Sequence, residues 1–468
     1  MMRSLFSGVA GLKTHQTKMD VIGNNIANVN TVGYKSSSVT FQELMYQTTQ
    51  SASGANAETG RAGVNAKQIG LGVSTGAITN NVSTSGASQS TGNPFDIQIT
   101  GDSFFIVSDG SNNYFTRAGA FYVDGAGNLA MTSNGYTVMG WQEDPTKPGT
   151  IKKDTVSKLQ VMSAENMNAA PEQTTQAYIS GIIDKNSTQL SSTSGLIVNL
   201  SFYDDLGYSY IAKYAIYDYD TDGTTLSEGN YRMVLTDILD SAGNSKSLAG
   251  TTFGGINGDT TGDPSTAAGI YLSYDTATGK YLGYATTAGA SPTNAEDDIS
   301  LTCATAVFPA MTSNIGVNLK TSTMYDNNKT STISGTAGDY DGNYAGRKVG
   351  TMSGISVQTD GKIYASYDNG ITKLLGQIAV ANFANASGLE KVGENLYAST
   401  QNSGVFDGIG SDVTSDGGSM STGVLEMSNV DLSSEFTEMI TTQRGFQANS
   451  RIITVSDSML EELTNLKR

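Results

Sequence analysis

From Leu5 onward, the positions Leu5, Val9, Leu12, Gln16, Met19, Gly23 and Ile26 follow alternating steps of four and three. This is the a/d spacing of a coiled-coil seam, and it predicts one amphipathic helix of about four heptads at most. The pattern stops in NNIANVNTVGYK, where Asn24, Asn25, Asn28, Asn30 and Gly33 tolerate left-handed turns and compete for backbone hydrogen bonds. At the far end, Asp431 is placed to cap a second helix, with Glu435 in its first turn. Leu432, Phe436, Met439, Ile440, Phe446, Ile453, Leu460, Leu463 and Leu466 lean to one side of it. Roughly 37 residues at 1.5 Å each span about 55 Å. Lys467 and Arg468 suit the negative end of its dipole.

Between the ends the period changes to two. All seven prolines fall between Pro94 and Pro309, and FDIQITGDSFFIVSDG and YFTRAGAFYVDGAGNLAMTSNGYTVMGW alternate apolar and polar residues around Asp-Gly and Asn-Gly turns. The same grammar returns in GISVQTDGKIYASYDNGITKLLGQIAVANF, with turns at Asp360-Gly361 and Asn369-Gly370. Two separated stretches therefore read as one kind of β domain, interrupted between about Glu143 and Lys348 by tyrosine-rich strands and glycine-rich loops. The tract Tyr46–Gln68 is small, polar and aperiodic, which reads as a flexible or partner-ordered linker.

Composition sharpens this picture. A chain of 468 residues holds two to four domains at ordinary domain size, and 54 glycines with only 15 % charged residues suit short strands and tight turns. The net charge of -17 disfavours nucleic acid and anionic membrane as partners. Residues 201–300 carry 14 Asp/Glu against 4 Lys/Arg, which marks the insert as the solvent-facing part. One cysteine excludes an intrachain disulfide, and one histidine cannot share a metal with a second. No apolar run reaches the roughly 18 residues of a membrane span, and the N-terminus lacks a signal-peptide core. By default this composition reads as cytoplasmic.

Candidate chemistry is thin. Gly72-Val73-Ser74-Thr75-Gly76 matches the G-x-S-x-G pattern, yet nothing after it reads as a helix and the single base available is His15, on the polar side of the first helix. Asp218, Asp220, Asp222 and Gly223 begin like a calcium loop, but the twelfth position is Gly229 where a bidentate Glu belongs. An acidic turn is the simpler reading. Cys303, in LTCATAVF, reads as a small buried hydrophobe. No catalytic, metal or cofactor residue is assigned. Attention moves to the two ends, whose helices are marginal alone and fold on finding helical partners. Their seams can close on each other within one chain or be shared with neighbours, and a repeated head-to-tail contact that does not close builds a helical filament.

The run GLKTHQTKMDVIGNNIANVNTVGYK and the end SNVDLSSEFTEMITTQRGFQANSRIITVSDSMLEELTNL resemble the terminal signatures of the bacterial flagellar rod and hook axial proteins. STGNPFDIQITGDSFFIV, FTRAGAFYVDGAGNLAMTSNGYTVMGW and LLGQIAVANFAN are similar to the same family, in the same order. The resemblance implies mainly β outer domains with N- and C-terminal α-helices pairing in a coiled-coil inner layer. It assigns 1–30 with 429–468 to that helical layer, 31–70 with 400–428 to a connecting segment and 71–142 with 349–399 to a β domain. Residues 143–348 form an inserted outer part, long enough for two domains rather than one.

The insert after Trp141 points to the hook branch, with a distal rod subunit as the alternative and an extracellular calcium-binding adhesin as a remote one. The implied partners are further copies of the chain, the distal rod, hook cap and hook-filament junction proteins, and the flagellar type III export apparatus. Neither nucleic acid nor membrane insertion is implied. The implied location is extracellular, in the hook or basal body, after export without a cleaved signal peptide. The expected assembly seam comprises Leu5, Val9, Leu12, Met19, Ile26, Leu432, Phe436, Met439, Phe446, Ile453, Leu460 and Leu463. The residues carrying the family motif are Asn24, Asn25, Asn28, Gly33, Tyr34, Gln443, Arg444 and Asn449.

Overall fold

A computed structural model describes residues 2–54, 60, 62–219, 229–293 and 295–466. They fall into two compact units. The first runs to Asn166 and includes Gly354–Ser366 and the chain from Thr372 onward; the second comprises Met167–Ser353 with Tyr367–Ile371. The fold is mostly β, with one long helix near each end.

In the first unit, α1 spans Met2–Ala27 and α2 spans Leu432–Asn465. Asp431 caps α2 as its sequence position suggests, its carboxylate accepting from the Ser433 and Ser434 amides at 2.9 and 3.4 Å. Lys467 and Arg468 lie outside the described residues.

The two β-patterned stretches meet in one sheet. Phe104–Ser108, buried along its whole length, pairs antiparallel with Asn113–Thr116, Thr137–Gln142 and Val380–Ala381. Thr372–Ile378 joins Thr137–Gln142, and Leu396–Ala398 joins Asn113–Thr116. Trp141, the only tryptophan, is buried and donates from its indole nitrogen to the carbonyls of Asp154 and Ile409. The chain pairs Ser157–Lys158 with Thr137–Gln142 before leaving, so residues 143–166 belong to this unit, and the insert starts later than its composition suggested.

The described parts of Tyr46–Gln68 are paired strands where composition suggests a flexible or partner-ordered linker; residues 55–59 and 61 lie outside the described residues. Tyr46–Gln50 pairs with Lys67–Gly70, and Ser53 bridges Val64, so backbone hydrogen bonds order a ribbon that no hydrophobic pattern announced. The preceding Ser37–Glu43 pairs with Val73–Asn80. Ser74 and Gly76 sit within that second strand, which removes the strand-turn-helix geometry a nucleophile elbow requires.

The second unit is a sandwich. One sheet is built on Leu196–Tyr203, Ser209–Asp218 and Asn230–Asp240, the other on Gln176–Ile183, Ile299–Thr302 and Ile315–Asn318. Leu196, Val198, Leu200 and Phe202 point inward while the residues between them face out, the period-two alternation expected of a half-buried strand. The inner faces of both sheets share one core, so the insert is a single unit rather than two. Cys303 belongs to that core, and burial pushes its thiol up to about 12. Asp220 and Asp222 of the acidic loop lie outside the described residues. Among the described residues, no group of three His, Cys, Asp or Glu side chains gathers as a metal site, and no helix is long and apolar enough to cross a membrane.

Candidate functional site

The two helices pack antiparallel, but along a different row from the apolar one. Ser4 meets Ser456 through their hydroxyls at 3.4 Å, and Gly8 lies against Ile452 and Ile453. Gly11 lies under the Asn449 side chain, His15 covers Gly445, and Asn25 donates to Glu435 Oε1 at 2.9 Å. These pairs keep one register: each residue forward on α1 matches one residue back on α2. Lys18, on the same face, pairs with Glu438 at 2.9 Å. The 4-3 spacing is that of a coiled coil, displaced by one position from the expected seam. Glycine permits this displacement. A Cβ on Gly11 would stand 2.7 Å from Asn449 Nδ2, and one on Gly445 2.7 Å from the His15 ring, so the backbones approach more closely than larger residues allow.

The expected seam is therefore corrected as a description of the intramolecular contact. Val9, Leu432, Phe436 and Leu463 are exposed, while Leu5, Leu12, Met19, Ile26, Met439, Phe446, Ile453 and Leu460 are half-buried. Of these, Ile453 reaches the contact itself, with Cγ1 3.3 Å from where a Gly8 Cβ would be. Phe6, Ile440, Ile452, Val455 and Met459 extend the exposed apolar surface of the pair.

His15 is half-buried rather than a solvated helix residue. Its ring stands edge-on to Phe41 at 5.5 Å, and Nδ1 has no hydrogen-bond partner among the described residues. Burial, and then the Lys18 charge, hold the imidazole below its ordinary value of 6.5. The folded chain thus binds fewer protons than the unfolded chain in that window. The His15 contribution to helix pairing is fully present above pH 6.5 and is lost as pH falls from there through the lowered value of the folded chain. Helical circular dichroism of the full chain is expected to decline on acidification through this range, and His15→Gln to remove that component.

Where the helices join the β sheet, the polar motif collects into a network. Asn25 is fully buried; its Nδ2 also donates to the Ser37 carbonyl at 2.9 Å, and its Oδ1 accepts from the Ser37 amide at 3.0 Å and from the Tyr34 hydroxyl at 3.3 Å. Asn24 donates to the Tyr34 hydroxyl at 3.1 Å, and Asn28 closes back on the Asn24 carbonyl at 2.9 Å. Gly33, at φ +68°, donates its amide to the Glu426 carbonyl at 2.7 Å. A Cβ there would lie 2.6 Å from the Ala118 nitrogen, so both the dihedral and the space call for glycine.

Below this network lie Lys35, Arg117 and Glu426, none more than 1 % exposed. Lys35 Nζ donates to Glu426 Oε1 and to the Thr84 carbonyl, each at 2.7 Å, and the Gly86 amide donates to the same Oε1 at 3.0 Å. Arg117 Nη2 donates to the Gly101 carbonyl at 2.6 Å, and Nη1 stands 3.7 Å from Glu426 Oε2. The guanidinium also covers the Phe104 ring at 5.0 Å. Burial holds the Lys35 ammonium below its ordinary value despite Glu426, because removing a cation from water costs more than the pairing returns.

Of the motif residues, the structure brings Asn24, Asn25, Asn28, Gly33 and Tyr34 into this joint and places Asn449 in the helix contact. Gln443 and Arg444 remain exposed on α2, where Arg444 reaches Gln447 at 3.5 Å. The sequence reading missed Lys35, Arg117 and Glu426, since isolated charges carry no periodic signal. It also missed the row Ser4, Gly8, Gly11, His15, Lys18, for which the two glycines at helical spacing were the available sign.

Three family descriptions match the chain: "Flagella basal body rod protein" over residues 5–35, "Flagellar hook protein FlgE/F/G D1 domain" over 98–176 and "Flagellar basal body rod FlgEFG protein C-terminal" over 421–466. The flagellar hook protein FlgE of Treponema pallidum is 35 % identical over 493 residues, and that of Borreliella burgdorferi 35 % identical over 490, each comparison covering 100 % of both chains. The flagellar basal-body rod protein FlgG of Bacillus subtilis is 50 % identical, but over only 24 % of this chain and 43 % of its own. Full-length similarity that includes the insert, joined to paired terminal helices on a mainly β body, leads to one conclusion: the chain belongs to the flagellar hook protein FlgE family of structural subunits.

Proposed function

We propose that the chain polymerises with copies of itself into a curved hollow tube, the hook, and acts there as a universal joint that carries torque from rod to filament. The observation that supports this reading most is the apolar stripe beside the intramolecular seam. Each helix pair closes on a row of mainly small and polar residues, with Ile452 and Ile453 against Gly8, and leaves Val9, Phe436, Ile440 and Leu463 exposed, apolar surface that neighbouring copies can cover. In this reading the helix pairs form the inner layer, and the β units lie outside it. Residues 31–70 with 400–428 connect the two, and the insert provides the solvent-facing part. The acidic insert keeps neighbouring outer surfaces weakly bound, which lets them slide while the inner layer holds.

The role is mechanical rather than enzymatic. The same reading takes the chain to be exported through the flagellar type III apparatus without a cleaved signal and to meet distal rod, cap and junction proteins. A distal rod subunit is the second reading, favoured by the rod-protein similarity, and it is separated from the first by the insert. Electron microscopy of the assembled protein tests the choice: a curved hollow tube is expected, and a straight rod would favour the alternative.

A further inference from the structure

We infer that Lys35, Arg117 and Glu426 form a positioning triad that fixes the direction in which both terminal helices leave the β sheet, and that it supplies orientation more than stability. This rests on the joint described above and adds to it an assignment of these three residues. They come from segments far apart in sequence. Lys35 stands eight residues after the end of α1, Glu426 ends the strand Val424–Glu426 six residues before α2 begins, and Arg117 directly follows the sheet strand Asn113–Thr116. One carboxylate therefore ties the exit of one helix to the entry of the other, while the guanidinium refers both to the sheet.

Backbone contacts run through the same points. The Gly33 amide donates to the Glu426 carbonyl at 2.7 Å, and the Met427 amide to the Ala87 carbonyl at 2.8 Å. Lys391 Nζ donates to the Lys35 carbonyl at 2.9 Å and lies 4.8 Å from the Tyr34 ring centre.

The electrostatics argue against stability as the main role. Two cations share one anion with every side chain out of water, and Arg117 Nε and Nη1 and Glu426 Oε2 have no hydrogen-bond partner among the described residues. Buried ion clusters with incomplete hydrogen bonding commonly give no advantage over apolar residues of similar volume. What an apolar cluster cannot supply is direction. Lys35 Nζ and Glu426 Oε1 meet in one arrangement, with the ammonium between Oε1 and the Thr84 carbonyl, whereas methyl groups pack at many angles. A joint that carries torque needs that single arrangement.

The test compares the full chain with the triple variant Lys35→Met, Arg117→Met, Glu426→Leu. Nitroxide labels go at Ser111→Cys, in the tight turn that joins the sheet strands Phe104–Ser108 and Asn113–Thr116, and at Ala448→Cys on α2, both exposed positions, with buried Cys303 left unlabelled. The expected result is unchanged or higher thermal stability by Trp141 fluorescence, together with loss of the single narrow distance peak. A narrow peak superimposable on that of the parent overturns the assignment. Should the triple variant not fold, Arg117→Met alone, which keeps the neutral Lys35–Glu426 pair, carries the same reading: a broadened distribution supports the triad and an unchanged one refutes it. Neither readout depends on polymerisation, so failure of the tube model and failure of this assignment are distinguishable.

Discussion

Glu426→Ala is expected to destabilise the first unit by about 3–5 kcal/mol, because it leaves two fully buried cations without their shared anion. The loss extends beyond charge. The Gly86 amide loses its acceptor, and Lys35 keeps only the Thr84 carbonyl. The buried indole of Trp141 lies in the same unit, so denaturant unfolding followed by tryptophan fluorescence reads this effect without interference from the second unit. The expected signature is a lower midpoint at unchanged slope. A midpoint shifted by less than about 1 kcal/mol equivalent would mean that water reaches the site and solvates the cations.

The second large effect concerns assembly. Leu463 is 48 % and Phe436 50 % exposed in the single chain, so Leu463→Asp or Phe436→Asp leaves the fold of one subunit unstrained. If neighbouring copies cover these half-exposed positions, a carboxylate there forfeits roughly 0.7–1.5 kcal/mol of apolar burial and adds a desolvation cost of roughly 2 kcal/mol or more. Since each 1.4 kcal/mol is tenfold, the concentration needed for polymerisation is expected to rise by at least about a hundredfold. Leu12→Asp acts from the α1 side. Sedimentation reads the outcome: a monomer with parental helical content is expected. Normal tubes would remove the apolar stripe from the assembly contact, and a monomer that has lost its helices would place the residue in the fold itself.

These two predictions separate what the chain's linear order reveals from what it hides. The apolar row Leu5, Val9, Leu12, Met19 and its counterpart on α2 were visible because helical period is a local property. The cap at Asp431 was legible for the same reason, since its partners are two and three residues away. The β stretches were legible from their alternation and turns. Which row of α1 would face α2 was not visible. The choice depends on how closely two backbones can approach, and Gly8, Gly11 and Gly445 decide it only when placed opposite Ile453, Asn449 and His15.

The ordered ribbon within Tyr46–Gln68 escaped notice because backbone pairing without a buried face leaves no hydrophobic signature. The Lys35–Arg117–Glu426 cluster escaped for a stronger reason. Its members lie 82 and 309 positions apart along the chain, so no window joins them. A charge in sequence reads as surface, and only a closed fold can show it buried.

The sequence by itself determined the element types, the helical ends around a β body, and the family, because periodicity, capping and motif order are written in neighbouring residues. The tertiary structure alone decided that the intramolecular seam is polar and glycine-rich, and that the apolar stripe remains available for other contacts. It also decided that one buried carboxylate ties both helices to the sheet, since distances between remote segments exist only once the chain has folded.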